Sequence, residues 1–247
     1  MPDTSKKMRL DKFLTQAAEL TRSEAKQKIK KGSVTVDGEV EKKAERKVST
    51  KECICLDGEA VTYVKYRYIM LHKPAGVVSA TEDAQCQTVI DLIEEGRRDL
   101  FPVGRLDKDT EGLLLLTNDG ALAHNLLSPR KHVDKTYFAV LDGPVGEEEQ
   151  ALFLQGLDIG DEKKTLPAKL EVTGKANEVL ITVQEGRFHQ VKRMAEAVGR
   201  RVEYLKRISM GPLVLDASLA KGEYRPLTEQ ELADLKGSTG NGKGRTL

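Results

Sequence analysis

Three acidic residues at alternate positions make the stretch 104–112 the first candidate for chemistry. Asp107, Asp109 and Glu111 lie in a polar loop that ends where the apolar run 113–116 begins. Loops held by a rigid element often carry binding or catalytic groups. These residue types would suit a metal site, a phosphoryl-transfer site or a reaction that needs a single carboxylate. A solvated acidic turn is the structural alternative.

Two of these possibilities can be tested on spacing. In an EF-hand calcium loop starting at Asp107, the twelfth position would be Asn118, which cannot replace the bidentate Glu. The calcium site is therefore excluded. Residues 107–110 also resemble the Asp-x-Asp-x-Thr motif of a large phosphatase superfamily, whose first Asp follows directly on an apolar strand. Gly104 and Arg105 intervene here, and the apolar run follows the loop. The phosphatase interpretation, which would require magnesium, ranks second.

A second stretch, 185–194, joins a predicted strand to a predicted helix and is rich in cations. Such a junction presents free backbone N–H groups to an anion. It also brings four polar side chains together: Arg187, His189, Lys192 and Arg193. The structural alternative is the solvated side of a helix whose other face holds Val191 and Met194. Glycine, an aromatic residue and a histidine at the helix entrance favour an anionic ligand.

The elements that must position these stretches are short and varied. Predicted strands cover 68–71, 135–140 and 179–183, and predicted helices cover 189–198 and a short segment through Val89. The segments are joined by turns, and the helices are interspersed irregularly among the strands. This pattern favours the α+β class, with a mixed, mostly antiparallel sheet, over a doubly wound parallel fold.

Composition is consistent with one or two soluble domains. The chain has 247 residues, of which 39% are apolar and 32% charged. The net charge of +1 conceals an excess of Lys and Arg before residue 68 and an excess of Asp and Glu after it. A basic N-terminal part predicts a polyanionic partner. No apolar run approaches a membrane span and the N-terminus lacks a signal-peptide core, so we expect a cytoplasmic protein.

Three cysteines support the same compartment. Cys53, Cys55 and Cys86 are odd in number and widely spaced, which argues against a disulfide scaffold. Cys53 and Cys55 would share one face of a strand, and we expect them to be a buried, inert pair. A zinc site would need two further ligands nearby, and the sequence offers none.

The N-terminal part has a distinctive order of elements. Residues 8–31 show two helical patterns, and Thr21 with Glu24 forms a capping-box signature for the second. Gly32 is a predicted helix stop, and Asp37-Gly38 is a predicted hairpin turn. Residues 8–14 and 21–38 resemble the S4 RNA-binding module, in which cations contact phosphates and RNA is recognised through shape. The expected contacts are Arg9, Lys12, Arg22, Lys26, Lys30 and Lys31.

Three motifs together resemble the pseudouridine synthases, specifically the RsuA group. They are Gly104-Arg105-Leu106-Asp107, Lys135-Thr136-Tyr137 and residues 186–194. The resemblance extends over nearly the whole chain, including 70–76 and 222–228. It implies an S4-like domain at 8–56 and a pseudouridine synthase catalytic domain at 68–236. The polar stretch 57–67 is the expected linker between them, and the composition of 237–247, rich in Gly, Ser, Lys and Arg, predicts a disordered tail.

The resemblance also implies roles for individual residues. Asp107 matches the essential aspartate, Lys192 matches a basic residue that pairs with it, and Tyr137 matches the tyrosine that packs on the target base. Arg105 matches the residue beside the flipped nucleotide. Further RNA contacts are expected from Arg187, His189, Gln190 and Arg193. Asp109 and Glu111 are expected to shape the turn.

The implied activity is isomerisation of one uridine to pseudouridine in 16S ribosomal RNA, with uridine 516 as the expected target. No metal, redox group or nucleotide cofactor is required. The partner would be 16S ribosomal RNA or a small-subunit assembly intermediate, and a monomer is the default state. Two alternatives stay open: a sister enzyme acting on 23S ribosomal RNA, and a non-catalytic S4-domain assembly factor. Asp107 could attack the sugar, attack the base or act as a base.

Overall fold

The structure, a computed structural model, describes residues 7–18, 20–94 and 99–240, and the chain divides into two units, Met1–Tyr66 and Arg67–Leu247. The first unit contains α1 (Leu10–Ala17), α2 (Arg22–Lys31) and the short strands β1 (Met8–Arg9), β2 (Val34–Val36), β3 (Glu39–Val40), β4 (Lys47–Val48), β5 (Ile54–Leu56) and β6 (Glu59–Ala60). Strands β3, β2, β5 and β6 form one antiparallel sheet, and β1 pairs with β4.

The capping box, the helix stop and the hairpin turn predicted for the first unit are all present. The hydroxyl of Thr21 accepts a bond from the Glu24 amide at 3.2 Å, and the Glu24 carboxylate accepts one from the Thr21 amide at 2.7 Å. Gly32 ends α2 in the left-handed conformation. Asp37 and Gly38, with φ of 53° and 87°, make the tight turn between β2 and β3. Apolar residues of both helices pack into one core with the sheet.

Two expectations for this unit are wrong. Strand β6 lies inside the stretch 57–67 that was expected to be a linker, and it pairs with β5, so the unit continues beyond residue 56. Cys53 is exposed rather than buried, and Cys55 is half-buried. Ile54 takes the buried face of β5, so its neighbours Cys53 and Cys55 lie on the opposite, more accessible face.

The second unit is organised around a mixed sheet. Its strands are β7 (Tyr68–Lys73), β8 (Phe101–Pro102), β9 (Glu111–Thr117), β10 (Lys135–Leu141), β11 (Lys169–Val172), β12 (Glu178–Val183), β13 (Val202–Met210), β14 (Leu213–Val214) and β15 (Tyr224–Pro226). The main order is β11-β12-β10-β13-β9-β7-β15, with β8 on β9 and β14 on β13. Only the β9–β13 pair is parallel among these described strands. The predicted α+β class is confirmed.

Helices cover both faces of this sheet. They are α3 (Gly120–Leu127), α4 (Glu147–Gln155), α5 (Gln190–Ala197) and α6 (Glu229–Gly240), with a 3-10 helix at Pro129–Lys131. Leu114 and Leu116 of β9 enter one core together with α4 and α5, while Leu113 and Leu115 enter the other with α3 and α6. Burial on both faces explains why the run 113–116 is continuously apolar instead of alternating.

The join between β9 and β13 requires a glycine. Gly112 has φ of 108°, and a Cβ built there would lie 2.2 Å from the Arg207 carbonyl oxygen. The parallel pairing brings Arg207 opposite Gly112 at the start of β9, directly after the acidic loop. Any larger residue would push the two strands apart at this point.

Two expectations for the second unit are wrong. Residues 89–92 form turns instead of a helix, because Asp91 bonds to Thr88 and the local backbone bonds span three residues. Helix α6 continues to Gly240, so residues 237–240 are not a disordered tail, and 241–247 lie outside the described residues. Within the described ranges, no helix has both the length and the apolar character needed to cross a membrane.

Candidate active site

Asp107 lies in the wall of a cavity of about 670 Å³ in the second unit. The cavity brings together the two stretches that the sequence singled out, since Arg105 and Asp107 line it together with residues 186–189. Tyr137 of β10 contributes another part of the wall. A smaller recess of about 70 Å³ shares Asp107 and Tyr137 and is also lined by Lys192. The larger cavity, of about 670 Å³, has a volume that suits a small ligand or one nucleotide.

A buried lysine fixes the backbone of the loop. Lys73, at the end of β7, is fully buried, and its Nζ donates to the carbonyl oxygens of Asp107 at 3.0 Å and Thr110 at 2.9 Å. The Ser79 hydroxyl donates to the Leu106 carbonyl at 2.8 Å and accepts from the Leu106 amide at 3.0 Å. Burial lowers the pKa of Lys73 to about 8. The end of β7 and the segment that follows it therefore fix the backbone position of Asp107.

The Asp107 carboxylate lies between two basic side chains. Its oxygens are 3.4 Å from Nζ of Lys192 and 3.5 Å from Nε2 of His189. Lys192 makes shorter bonds, of 2.7 and 2.8 Å, to the two carboxylate oxygens of Asp109. Lys192 thus bridges both acids of the loop instead of serving Asp107 alone. Asp109, expected only to shape the turn, also orients the cation beside Asp107.

Charges in this cluster reinforce one another. The hydrogen bond from Lys192 lowers the pKa of Asp109 below its ordinary value. Burial alone would lower the pKa of Lys192, but its bond to Asp109 and the negative charges of Asp107 and Asp109 raise it above the ordinary value. Lys192 therefore remains a cation throughout the neutral range.

Tyr137 and Arg105 face the cavity with polar groups that bond to none of the described residues. Tyr137 is 9% exposed, and in the part of the chain that the structure describes nothing hydrogen-bonds its hydroxyl. Arg105 is exposed, and its guanidinium makes no ion pair within the same ranges. Both side chains remain available to a ligand.

Glu111, the third acid of the loop, is directed away from this cluster. It is buried in β9, where its carboxylate accepts from the Tyr204 hydroxyl at 2.6 Å and from Nζ of Lys221 at 2.8 Å. The alternate spacing therefore does not produce three convergent carboxylates. Among residues 7–18, 20–94 and 99–240, no group of His, Cys, Asp and Glu has the arrangement of a metal site.

Three residues expected to contact RNA are engaged within the protein. The Arg187 guanidinium bonds to Glu185 at 3.0 Å and to the carbonyl oxygens of residues 163 and 164. Gln190 is 5% exposed, accepts from the Arg187 amide and donates to Glu185. Arg193 pairs with Asp161 at 2.6 Å. These side chains hold the entrance of α5 and the loop before β11, and their role as RNA contacts stays a prediction.

Comparison with known proteins gives the family. The model of RNA pseudouridylate synthases matches residues 67–197, and the S4 domain model matches residues 8–52. The chain belongs to the RNA pseudouridylate synthase family. It is therefore an isomerase with an N-terminal S4 domain, as the motifs predicted.

The sequence similarity to known synthases covers most of this chain. It is 50% identical to the uncharacterized RNA pseudouridine synthase YtzG of Bacillus subtilis, over 91% of this chain and 97% of that one. It is 45% identical to ribosomal small subunit pseudouridine synthase A of Vibrio cholerae, over 92% and 99%. A crystal structure of a pseudouridylate synthase, 40% identical, superposes with a TM-score of 0.66 over 92% of this chain and 99% of that one.

The S4 domain of the synthase presents its cations in two ways. Lys12, Lys26, Lys30 and Lys31 are exposed. Arg9 instead bonds to the buried carboxylate of Asp11 at 2.9 and 3.0 Å, and Arg22 lies 3.5 Å from it. Asp11 therefore orients two of the expected phosphate contacts, while the four lysines form no ion pair with any residue that the structure describes.

Phe188 is a feature of the synthase site for which the sequence motifs predicted no role. Its side chain is 72% exposed at the cavity wall and stacks on the His189 ring, with centroids 3.8 Å apart and planes 18° apart. An exposed aromatic face beside cations is typical of single-stranded nucleic-acid sites. The signal in the sequence was an aromatic residue inside a stretch that is otherwise polar and basic.

Proposed function

We propose that this enzyme converts one uridine of 16S ribosomal RNA to pseudouridine, with Asp107 as the catalytic carboxylate and uridine 516 as the expected target. The observation that carries the proposal is the setting of Asp107. It lies 3.4 Å from the Lys192 ammonium and 3.5 Å from the His189 ring, in a cavity that Tyr137 also lines.

The chemistry of the isomerisation suits this setting. The bond between uracil N1 and ribose C1′ breaks, and a bond between C5 and C1′ forms. C5 loses a proton and N1 gains one, so the reaction balances without an oxidant, a reductant or a cofactor. A carboxylate must be ionised to act as a nucleophile or a base, and Lys192 supplies an adjacent positive charge.

Two side chains are suited to hold the reacting nucleotide. A uridine in folded RNA must leave its stack to reach a carboxylate in a cavity. Arg105 has an exposed, unpaired guanidinium at the rim within the described ranges, where it can support the opened RNA. The Tyr137 ring lies in the wall, and its hydroxyl, free of bonds to described residues, is available for the proton at C5.

Support for a small-subunit target comes from the relatives. Several proteins 43% to 45% identical to this chain over 92% of its length are named ribosomal small subunit pseudouridine synthase A. The exposed lysines of the S4 domain add a surface for phosphates of a folded RNA. We place the enzyme in the cytoplasm, where ribosomal RNA is assembled, acting on free 16S RNA or on an assembly intermediate.

The test is a map of pseudouridines in ribosomal RNA from cells with and without this protein. Loss of one pseudouridine, at uridine 516 of 16S RNA, and its restoration by the wild-type gene is the expected result. Loss at a 23S position instead would reassign the substrate to the large subunit. An unchanged map with altered ribosome assembly would overturn the enzymatic proposal in favour of an assembly factor.

A further inference from the structure

Two buried cations line the same cavity as Asp107. Lys135, the first residue of β10, is 7% exposed, and Arg207 of β13 is 2% exposed. The strands are neighbours, and the register places Arg207 opposite Tyr137. Lys135 and Tyr137 are two residues apart, so they share one face of β10 and are separated by roughly 7 Å along it. Both cations therefore lie next to the tyrosine proposed to contact the base.

Both cations bond to backbone carbonyl oxygens, and no described carboxylate neutralises either of them. Nζ of Lys135 donates to the Val133 carbonyl at 3.0 Å, and Nε of Arg207 donates to the Leu113 carbonyl at 2.8 Å. Nη2 of Arg207 is buried and has no hydrogen-bond partner among residues 7–18, 20–94 and 99–240. Among the residues that the structure describes, neither side chain forms an ion pair, and the nearby Asp134 carboxylate bonds to Gln184 instead.

Such an arrangement is costly unless a ligand completes it. A buried charge without a counterion loses hydration that the protein does not replace. Burial, with the charge of Arg207 adding to it, lowers the pKa of Lys135 to about 8. The two cations are thus held close together at a cavity wall, with unused donors and no anion.

We infer that Lys135 and Arg207 form an anion subsite that binds a phosphodiester flanking the target uridine. The inference rests on the proposed function and adds a second contact point for the flipped nucleotide. The base would lie against Tyr137 while its backbone phosphate accepts bonds from Lys135 and from the unpaired Nη2 of Arg207. A nucleotide bound at both points is oriented with its glycosidic bond fixed relative to Asp107.

The test combines a residue change with a change in the RNA. Lys135→Met removes the charge at similar volume, Lys135→Arg keeps it, and Lys169→Met is the matched control. Lys169 is exposed on β11 and paired with Glu171 at 2.8 Å, so its loss removes one charge outside the cavity. The substrate is a 16S RNA fragment on which the wild-type enzyme turns over. In a second series, each phosphate flanking the uridine is replaced singly by a neutral methylphosphonate.

The expected result is a rise in KM of roughly 10- to 100-fold for Lys135→Met, as for loss of a charged hydrogen bond. Lys135→Arg and Lys169→Met should stay within about twofold, and the Tm of Lys135→Met should not fall. One methylphosphonate should weaken the wild type similarly and leave Lys135→Met unaffected.

Three outcomes would overturn the inference. They are a wild-type KM for Lys135→Met, a rise in KM that is matched by Lys169→Met, or equal sensitivity of both enzymes to every methylphosphonate. Stabilisation of the wild type by inorganic phosphate, with no methylphosphonate effect, would also contradict a phosphodiester ligand. Failure of the proposed function is distinguishable, because wild-type enzyme would then leave the 16S fragment unmodified.

Discussion

At the scale of single residues, Lys192 connects Asp107, in the cavity wall, with Asp109 of the same loop. Its closest bonds are to Asp109, and Asp107 keeps an oxygen 3.4 Å away without being locked by a short bond. A carboxylate that must react with a nucleotide is better served by a nearby charge than by a tight ion pair. Asp109 holds the Lys192 ammonium in that position. Lys192 thus supplies the positive charge beside Asp107, and Asp109 orients it.

Phe188 provides a prediction at the same scale. Because its ring is exposed and stacked on His189, it can receive an RNA base. We expect Phe188→Ala to weaken binding of substrate RNA by about 1 to 3 kcal/mol, the usual value for a lost base stack. Phe188→Tyr should retain binding, as measured by fluorescence titration at fixed salt.

The control for this change is Leu154→Ala. Leu154 is 60% exposed on α4, so its truncation removes a comparable exposed apolar side chain away from the cavity lining. It should leave RNA affinity unchanged. Equal affinity of Phe188→Ala and wild type would rule out stacking at this ring.

At the scale of elements, the acidic loop is positioned by its neighbours more than by its own sequence. Strand β7 ends in Lys73, whose ammonium donates hydrogen bonds to carbonyl oxygens of the loop. The Ser79 hydroxyl bonds to the backbone carbonyl and amide of Leu106. Strand β9 begins directly after the loop and is buried along its whole length. A catalytic side chain on a loop that is held by rigid strands on both sides keeps its geometry.

Lys73→Met tests this attachment. The change leaves buried carbonyl oxygens without a donor, so we expect a loss of about 2 kcal/mol in the free energy of unfolding. The kcat should fall by roughly tenfold or more while RNA affinity stays near wild type, measured by single-turnover kinetics and titration. Lys108→Met is the control, because that lysine is exposed in the same loop and contacts Cys86. A wild-type kcat in Lys73→Met would show that the loop holds its shape unaided.

The attachment of α6 gives a prediction with a pH dependence. Arg225 of β15 bonds to Glu231 at 2.7 and 2.8 Å and to Asp216 at 2.7 Å. The hydrogen bond from Arg225 lowers the pKa of Glu231 from 4.5 to about 2. The folded protein therefore binds this proton less readily than the unfolded chain. The resulting stabilisation is complete above pH 4.5 and is lost as the pH falls towards 2.

Glu231→Gln should thus destabilise the protein at neutral pH, and less so as the pH falls below 4.5. We expect a decrease of about 1 kcal/mol in the free energy of unfolding at pH 7, shrinking progressively below pH 4.5. Urea unfolding at several pH values measures the difference. Glu229→Gln, an exposed acid at the start of the same helix, should have no such profile. If the difference in free energy of unfolding between Glu231→Gln and wild type did not change with pH, packing and not the ion pair would hold α6.

At the scale of the whole molecule, the sequence predicted what short-range interactions determine. The capping box at Thr21, the turn at Asp37-Gly38 and the buried run 113–116 each depend on residues within a few positions. The fold class followed from many such segments. Cys53 and the segment around Val89 were mispredicted, because one residue of register or one Asp–Thr bond reverses the local outcome.

What the sequence could not provide is the pairing of distant side chains. Lys192 and Asp109 are 83 residues apart, and nothing in either motif indicates that their bond is shorter than the one to Asp107. Arg187 and Arg193 carry the residue types of RNA contacts, yet both pair with Asp161. Lys135 and Arg207 meet only because β10 and β13 are neighbours in the sheet. Motifs name candidates, and topology decides which of them remain free.

The most direct test of the central claim is pseudouridine formation by Asp107→Asn on the 16S fragment, with Asp109→Asn alongside. Asparagine keeps the shape and removes the ionisable carboxylate, so we expect the rate to fall by roughly 100-fold or more with Tm and RNA affinity preserved. Asp109→Asn should lose less, because it weakens the support of Lys192 but keeps the Asp107 carboxylate. A wild-type rate in Asp107→Asn would contradict the account.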